Sequence, residues 1–223
     1  MPLPAISIVR QYDTHRLVPS RQGDSVLTRI ADDDAHLRQI SDLDQATNDR
    51  LLAEHDRLPG IGPHELVFGV SYAAIVNAAF CHAHPLGGRF NGPERGAWYS
   101  AFELETAQAE VAFHKSVELA EIDQWNESVT YDEYLADFSA LLHDLRGDRR
   151  FLDCLRPDSY TASQDLAERL LLAGSAGVVH PSVRRATGTC LACFRPALVA
   201  HVRKEATWRF TWANVETPTV ARA

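Results

Sequence analysis

The sequence predicts an α+β fold. Three kinds of segment carry the prediction: apolar stretches with helical spacing, one long run of alternating residues, and late segments rich in aromatic and β-branched side chains. In chain order, THRLVPS (Thr14 to Ser20) reads as a short opening strand ended by Pro19, with a polar turn through Gln22, Gly23 and Asp24. From Ala31 to Leu58 the pattern is acidic, and Leu37, Ile40, Leu43, Leu51 and Leu52 recur at roughly helical spacing. That predicts one or two partly exposed helices, ended by Pro59, Gly60, Gly62 and Pro63.

The next stretch, ELVFGVSYAAIVNAAFCHAHP, predicts a buried helix ending near Pro85. A second helix is expected to start at a capping-box pattern formed by Ser100 and Glu103 and to continue through Phe113, Val117 and Leu119. VTYDEYLADFSALL alternates well enough to predict a strand from about Val129 to Phe138. Gln164 to Ala173 predicts a helix stopped by Gly174, and Gly177 to Val179 a short buried strand ending at HPSVR. TCLACF and ATWRFTW add two β segments. No repeat, low-complexity tract or long linker interrupts them, so the 223 residues are expected to form a single domain, 1–223, with a helical excursion at about 31–85.

Polar chemistry concentrates between Gly87 and Val111, in GGRFNGPERGAWYSAFELETAQAEV. Arg89, Tyr99 and Glu110 fall at near-equal intervals through what reads as loop, strand and helix. Taken singly, such residues are usually a loop-bracing arginine, a core tyrosine and a solvated helix charge; together they read as a site.

Composition narrows what that site serves. A formal net charge of −8 argues against a general nucleic-acid binder, which needs a basic footprint to neutralise phosphate. No apolar run reaches the ~18 residues of a membrane span, and MPLPAISIVRQYD lacks the apolar core of a signal peptide, so a cytoplasmic protein with no membrane partner is expected. Cys81, Cys154, Cys190 and Cys193 show no disulfide pattern and read as reduced, mostly buried thiols.

Several segments in order give the chain its resemblance to the RES-domain family, named for Arg, Glu and Ser: HRLVPS, ATNDRL, AAFCHAHPLGGRFN, GAWYSAFELETAQAEVAFH, AGSAGVVHPSVR and CFRP. Many members of that family are toxins of bacterial toxin–antitoxin pairs. The resemblance implies a small split β-sheet with flanking helices, similar to mono-ADP-ribosyltransferases, with a cleft for NAD. Carried over by position, the catalytic residues are Arg89, Tyr99 and Glu110, and the NAD-binding residues are Arg16 and Ser182. Arg29, in LTRI, competes with Arg16 as the opening-strand arginine. The chain departs from the family where His180 replaces an aromatic before the proline-serine pair, and where GTCLACF lacks an asparagine near the last core strand.

The resemblance implies an enzyme that consumes NAD by cleaving the nicotinamide–ribose bond through phosphorolysis or hydrolysis; a mono-ADP-ribosyltransferase acting on a protein is the alternative. NAD is then substrate rather than cofactor, with inorganic phosphate as a candidate co-substrate. A cognate Xre-type antitoxin is the implied partner, and a homo-oligomer stays open. In that chemistry Glu110 faces the positive charge developing on ribose, Tyr99 offers a flat ring and a hydroxyl, and Arg89 and Arg16 hold pyrophosphate. Ser182 has no triad context that would make it a nucleophile, although His180 falls on the same strand face. His114, one turn beyond Glu110, is placed to share its helix face.

No metal site is expected. Cys190 and Cys193 would point to opposite faces of a strand, and Cys81, His82 and His84 lack a fourth ligand.

Overall fold

The computed structural model describes residues 2–20 and 59–223. The helices expected between 31 and 58, the ATNDRL segment and Arg29 lie outside the described residues. The described chain is α+β, as predicted. Its strands are β1 (Ile6–Pro19), β2 (Trp98–Ala101), β3 (Asn126–Asp144), β4 (Gly177–Pro181), β5 (Thr189–Cys193), β6 (Ala200–Ala213) and β7 (Thr219–Arg222). Its α-helices are α1 (Ala73–Cys81), α2 (Leu104–Glu121) and α3 (Thr161–Leu172).

The strands run in the order β1-β2-β5-β4-β3-β6-β7, and β1 also pairs with β3, so the first five close into a ring. β3 is the spine. One edge carries β1 from Tyr131 to His143, and the other carries β6 along most of its length and then β4 at His143 and Asp144. Two of the junctions that close the ring are short: β1 meets β2 in register only at His15↔Ala101, and β3 meets β4 only over two residues. The ring is therefore two well-paired units, β1-β3-β6-β7 and β2-β5-β4, held at narrow contacts. This is the split sheet that was expected.

Alternation along β2, β5 and β4 sorts their side chains into layers. Tyr99, Ala192 and Val178 are in register, as are Ala101, Cys190 and His180 in the next row of the same face. Ala192 and Val178 pack with Phe90 and with Leu166 and Leu170 of α3. The opposite face places Trp98, Leu191 and Val179 in a core shared with α1 residues Val76 and Phe80. α2 packs its buried residues Thr106, Ala107 and Leu119 inward.

The elements differ from expectation at their ends. β1 begins at Ile6 and β3 continues to Asp144, because the two pair antiparallel along the extra length. α1 starts only at Ala73: Tyr72 takes a left-handed φ of 60°, and the Asn77 side chain ties the bent lead-in back to the helix by accepting from Val67 N–H (3.0 Å) and donating to Val67 O (2.8 Å). The expected capping box at Ser100 is corrected. Ser100 is buried inside β2, and Glu103 occupies the N-cap, where its carboxyl accepts from Thr106 Oγ1 (2.6 Å) and Thr189 N–H (3.1 Å). β7 was not anticipated; it is a short, exposed edge strand paired to β6. No described helix is long and apolar enough to cross a membrane.

The approach of α1 to β2 depends on Gly96, whose N–H donates to Phe80 O (2.9 Å) and where an added Cβ would lie 2.1 Å from Ala79 O. Gly96→Ala is expected to lower unfolding free energy by about 1–3 kcal/mol. Gly92→Ala, where an added Cβ meets nothing within 4 Å, is expected to change it by less than about 1 kcal/mol. Denaturant titration of both variants checks this.

Candidate active site

The site assembles on the Tyr99 face of the β2-β5-β4 unit, between the Gly87–Asn91 turn and α2. The turn is closed by Gly88 N–H donating to Asn91 O (2.9 Å). A Cβ at Gly88 would come within 2.5 Å of Asn91 Oδ1 and 2.9 Å of the Tyr99 hydroxyl oxygen, so glycine lets the turn settle onto that ring. The Tyr99 hydroxyl donates to Asn91 Oδ1 (2.7 Å) and accepts from Phe90 N–H (2.8 Å). Burial, above all, pushes this phenol far above its usual range, so it is a neutral brace between β2 and the turn.

Arg89 is thereby held in a buried position, 9% exposed. Its Nη1 donates to Cys154 O (3.1 Å) and Arg156 O (2.8 Å), and its guanidinium lies 4.6 Å from the centre of the Tyr160 ring. Burial lowers its pKa, and the positive charge of Arg184 lowers it further, whereas Tyr160 and Glu110 act in the opposite sense. Arginine remains a cation under such shifts.

Glu110 reaches the same region from α2. It lies three and four residues beyond the buried Ala107 and Thr106, which places it on the helix face turned toward the sheet. Ser182 Oγ donates to Glu110 Oε1 at 2.6 Å, and the Cys190 thiol approaches the same oxygen at 3.7 Å. Ser182 Oγ itself accepts from the N–H groups of Arg184 and Arg185, each at 3.1 Å. The serine both caps its own turn and aims the carboxyl.

Ser182 and His180 do not pair with each other: the serine proton goes to Glu110. His180 Nδ1 is 2.8 Å from Pro181 O, an acceptor, so Nδ1 carries the proton. The ring packs against Phe90 with centroids 4.8 Å apart, and burial brings its pKa down to about 4. His180 is a neutral wall of the site. Burial likewise lowers the pKa of His114, while Glu110 opposes that shift.

Arg16 enters differently. Its Nη1 donates to the backbone O of Tyr99 (3.0 Å), and its guanidinium lies 4.8 Å from the Trp98 ring centre, at the split between β1 and β2. Burial brings its pKa down to about 10. The structure thus brings Arg89, Tyr99, Glu110 and Ser182 around one region, and joins Arg16 to it through the Tyr99 backbone.

Asn91, Tyr160 and Arg184 also shape the site and escaped the sequence reading. Asn91 carried a signal, as a polar residue two places after Arg89 in GGRFN. Tyr160 carried none, because its contact with Arg89 depends on the tertiary placement of α3. Among the described residues no group of His, Cys, Asp and Glu is arranged to hold a metal ion. Cys190 and Cys193 fall in different cores, as alternation predicts, and burial pushes the Cys193 thiol up to about 12. His84 is exposed and accepts from Leu86 N–H (3.1 Å) through Nδ1, within its own turn.

A family model described as the RES domain matches residues 63–213. No curated protein matches the chain. Among solved structures, the M. tuberculosis MbcT–MbcA toxin–antitoxin complex is similar, with a TM-score of 0.48, 12% identity, and coverage of 90% of this chain and 85% of that chain. The matched family span takes in more than half of the sequence and contains Arg89, Tyr99, Glu110 and Ser182, and the chain belongs to the RES-domain family.

Proposed function

We propose that this protein consumes NAD by breaking the bond between nicotinamide and ribose, with phosphate or water taking the ADP-ribosyl group. The observation that carries the reading is the Glu110 carboxyl, fixed through one oxygen by Ser182 in a region that also contains Arg89. As the C–N bond breaks, its electron pair neutralises the nicotinamide ring and positive charge develops on the ribose. A preorganised carboxylate stabilises that charge without having to reorient.

Both the serine hydroxyl and the Cys190 thiol address Oε1, which supports Oε2 as the oxygen that meets the ribose. The acceptor then forms a bond to the anomeric carbon through its own oxygen and loses a proton when it is water. Arg89 holds the pyrophosphate, Ser182 positions Glu110, and Arg16 keeps the Tyr99 backbone in place. Tyr99 contributes its ring, its hydroxyl proton being committed to Asn91. By family, the physiological setting is a toxin restrained by a cognate antitoxin, and the net charge of −8 favours a basic partner.

Purified protein incubated with NAD is expected to release nicotinamide, and comparison with and without phosphate identifies the acceptor. Glu110→Gln is expected to slow release by about 10²–10³-fold, and Ser182→Ala by roughly tenfold, the size of one hydrogen bond to a charged group. No release from folded wild-type protein, with or without phosphate, sinks the proposal; label from NAD appearing on a protein instead would redirect it to protein modification. Tyr99→Phe keeps the ring and removes the brace, so it is expected to cost about 1–3 kcal/mol of stability while slowing release less than Glu110→Gln does. Abolished release with unchanged stability would make the hydroxyl a substrate contact.

A further inference from the structure

Arg184 is placed to do more than follow Ser182 in its turn. Its guanidinium lies 3.3 Å from the centre of the Phe113 ring, one helical turn from Glu110, and its Nη2 donates to Pro157 O at 2.8 Å. Arg89 donates to Arg156 O, the neighbouring carbonyl, at the same distance of 2.8 Å. Adjacent carbonyls of one chain are close, so Arg89 Nη1 and Arg184 Nη2 lie within about 10 Å of each other.

Each guanidinium is backed by an aromatic ring, Tyr160 for Arg89 and Phe113 for Arg184, which fixes its plane. Two cations so close repel, and the Glu110 carboxyl opposes the effect of Arg184 on Arg89. The Nε–H of Arg184 is buried without a hydrogen-bond partner. A donor desolvated and unpaired beside a second cation is an arrangement that an anion completes.

We propose that Arg184 and Arg89 together form the subsite for the pyrophosphate of the substrate, with Arg184 rather than Arg16 as the second arginine. The assignment rests on the NAD reading of the site. The two guanidiniums span a distance that one pyrophosphate group can bridge with charge-assisted hydrogen bonds at both ends. Arg16 has its guanidinium turned to the Tyr99 carbonyl and the Trp98 ring, on the face of β2 opposite the Tyr99 side chain. In this division Arg16 braces the strand, and Arg184 binds.

The test is calorimetric titration with inorganic pyrophosphate, which needs no turnover and so stands or falls separately from nicotinamide release. Wild-type protein is expected to bind, and Arg184→Gln to bind roughly tenfold more weakly or worse. Arg156→Gln is the control for a general charge effect, because that side chain is exposed and pairs with Asp158; it is expected to leave binding unchanged. If Arg184→Gln does not fold, Arg184→Lys takes its place, keeping the charge and losing the planar fork, with an expected loss of about threefold or more. Wild-type protein that does not bind pyrophosphate, equal affinity in the Arg184 variant, or an equal loss in Arg156→Gln overturns the assignment.

Discussion

The Tyr99 hydroxyl is the constraint on which the rest of the site depends. It bonds to both Phe90 N–H and Asn91 Oδ1, and so ties the glycine turn that carries Arg89 to β2, the outer strand of the β2-β5-β4 unit. Without that tie the turn would be a surface loop, and the arginine would have the conformational freedom that such loops carry. With it, Arg89 stays buried against Tyr160 and the carbonyls of Cys154 and Arg156. Gly88 is the sequence's side of this arrangement, since any side chain there would displace the hydroxyl or the asparagine.

A second tie works on the opposite wall. Ser182 gathers two backbone N–H groups and gives its own proton to Glu110, so the end of β4 and the middle of α2 are fixed to one another through a single oxygen. Each tie joins elements from different parts of the chain, and the closed ring of strands brings their anchors together. The narrow β1–β2 contact leaves the split in which Arg16 reaches the Tyr99 carbonyl. Rigid strands therefore set the positions, and short polar contacts set the orientations.

Much of this was legible before the structure. Arg89, Tyr99 and Glu110 stood out because one contiguous segment supplies the loop, the strand and the helix, and the resemblance of its flanks singled them out as a set. The strand through Val129 to Phe138 was legible by alternation, but its extension to Asp144 depends on pairing with Ile6 to Arg10, a contact across the whole chain. The capping signal was misplaced from Glu103 to Ser100 because β2 is short and runs almost directly into α2. Arg184 sat in plain view in HPSVR, yet only the meeting of β4, α2 and the Cys154–Pro157 segment reveals what its guanidinium touches. Ser182 was found through resemblance; that its proton goes to Glu110, rather than outward, is a matter of register that no local pattern encodes.

The central claim is that a fixed Glu110 serves the breaking of the nicotinamide–ribose bond, and the most direct measurement follows the carbon at which that bond breaks. NAD labelled with carbon-13 at the nicotinamide ribose C1′ can be observed by NMR in the presence of the protein. The account predicts that the labelled resonance moves from the nicotinamide-bound position to that of an oxygen-bound anomeric carbon, and that it does so far more slowly with Glu110→Gln. A label that stays bonded to nicotinamide throughout, in the presence of folded protein and phosphate, would contradict it.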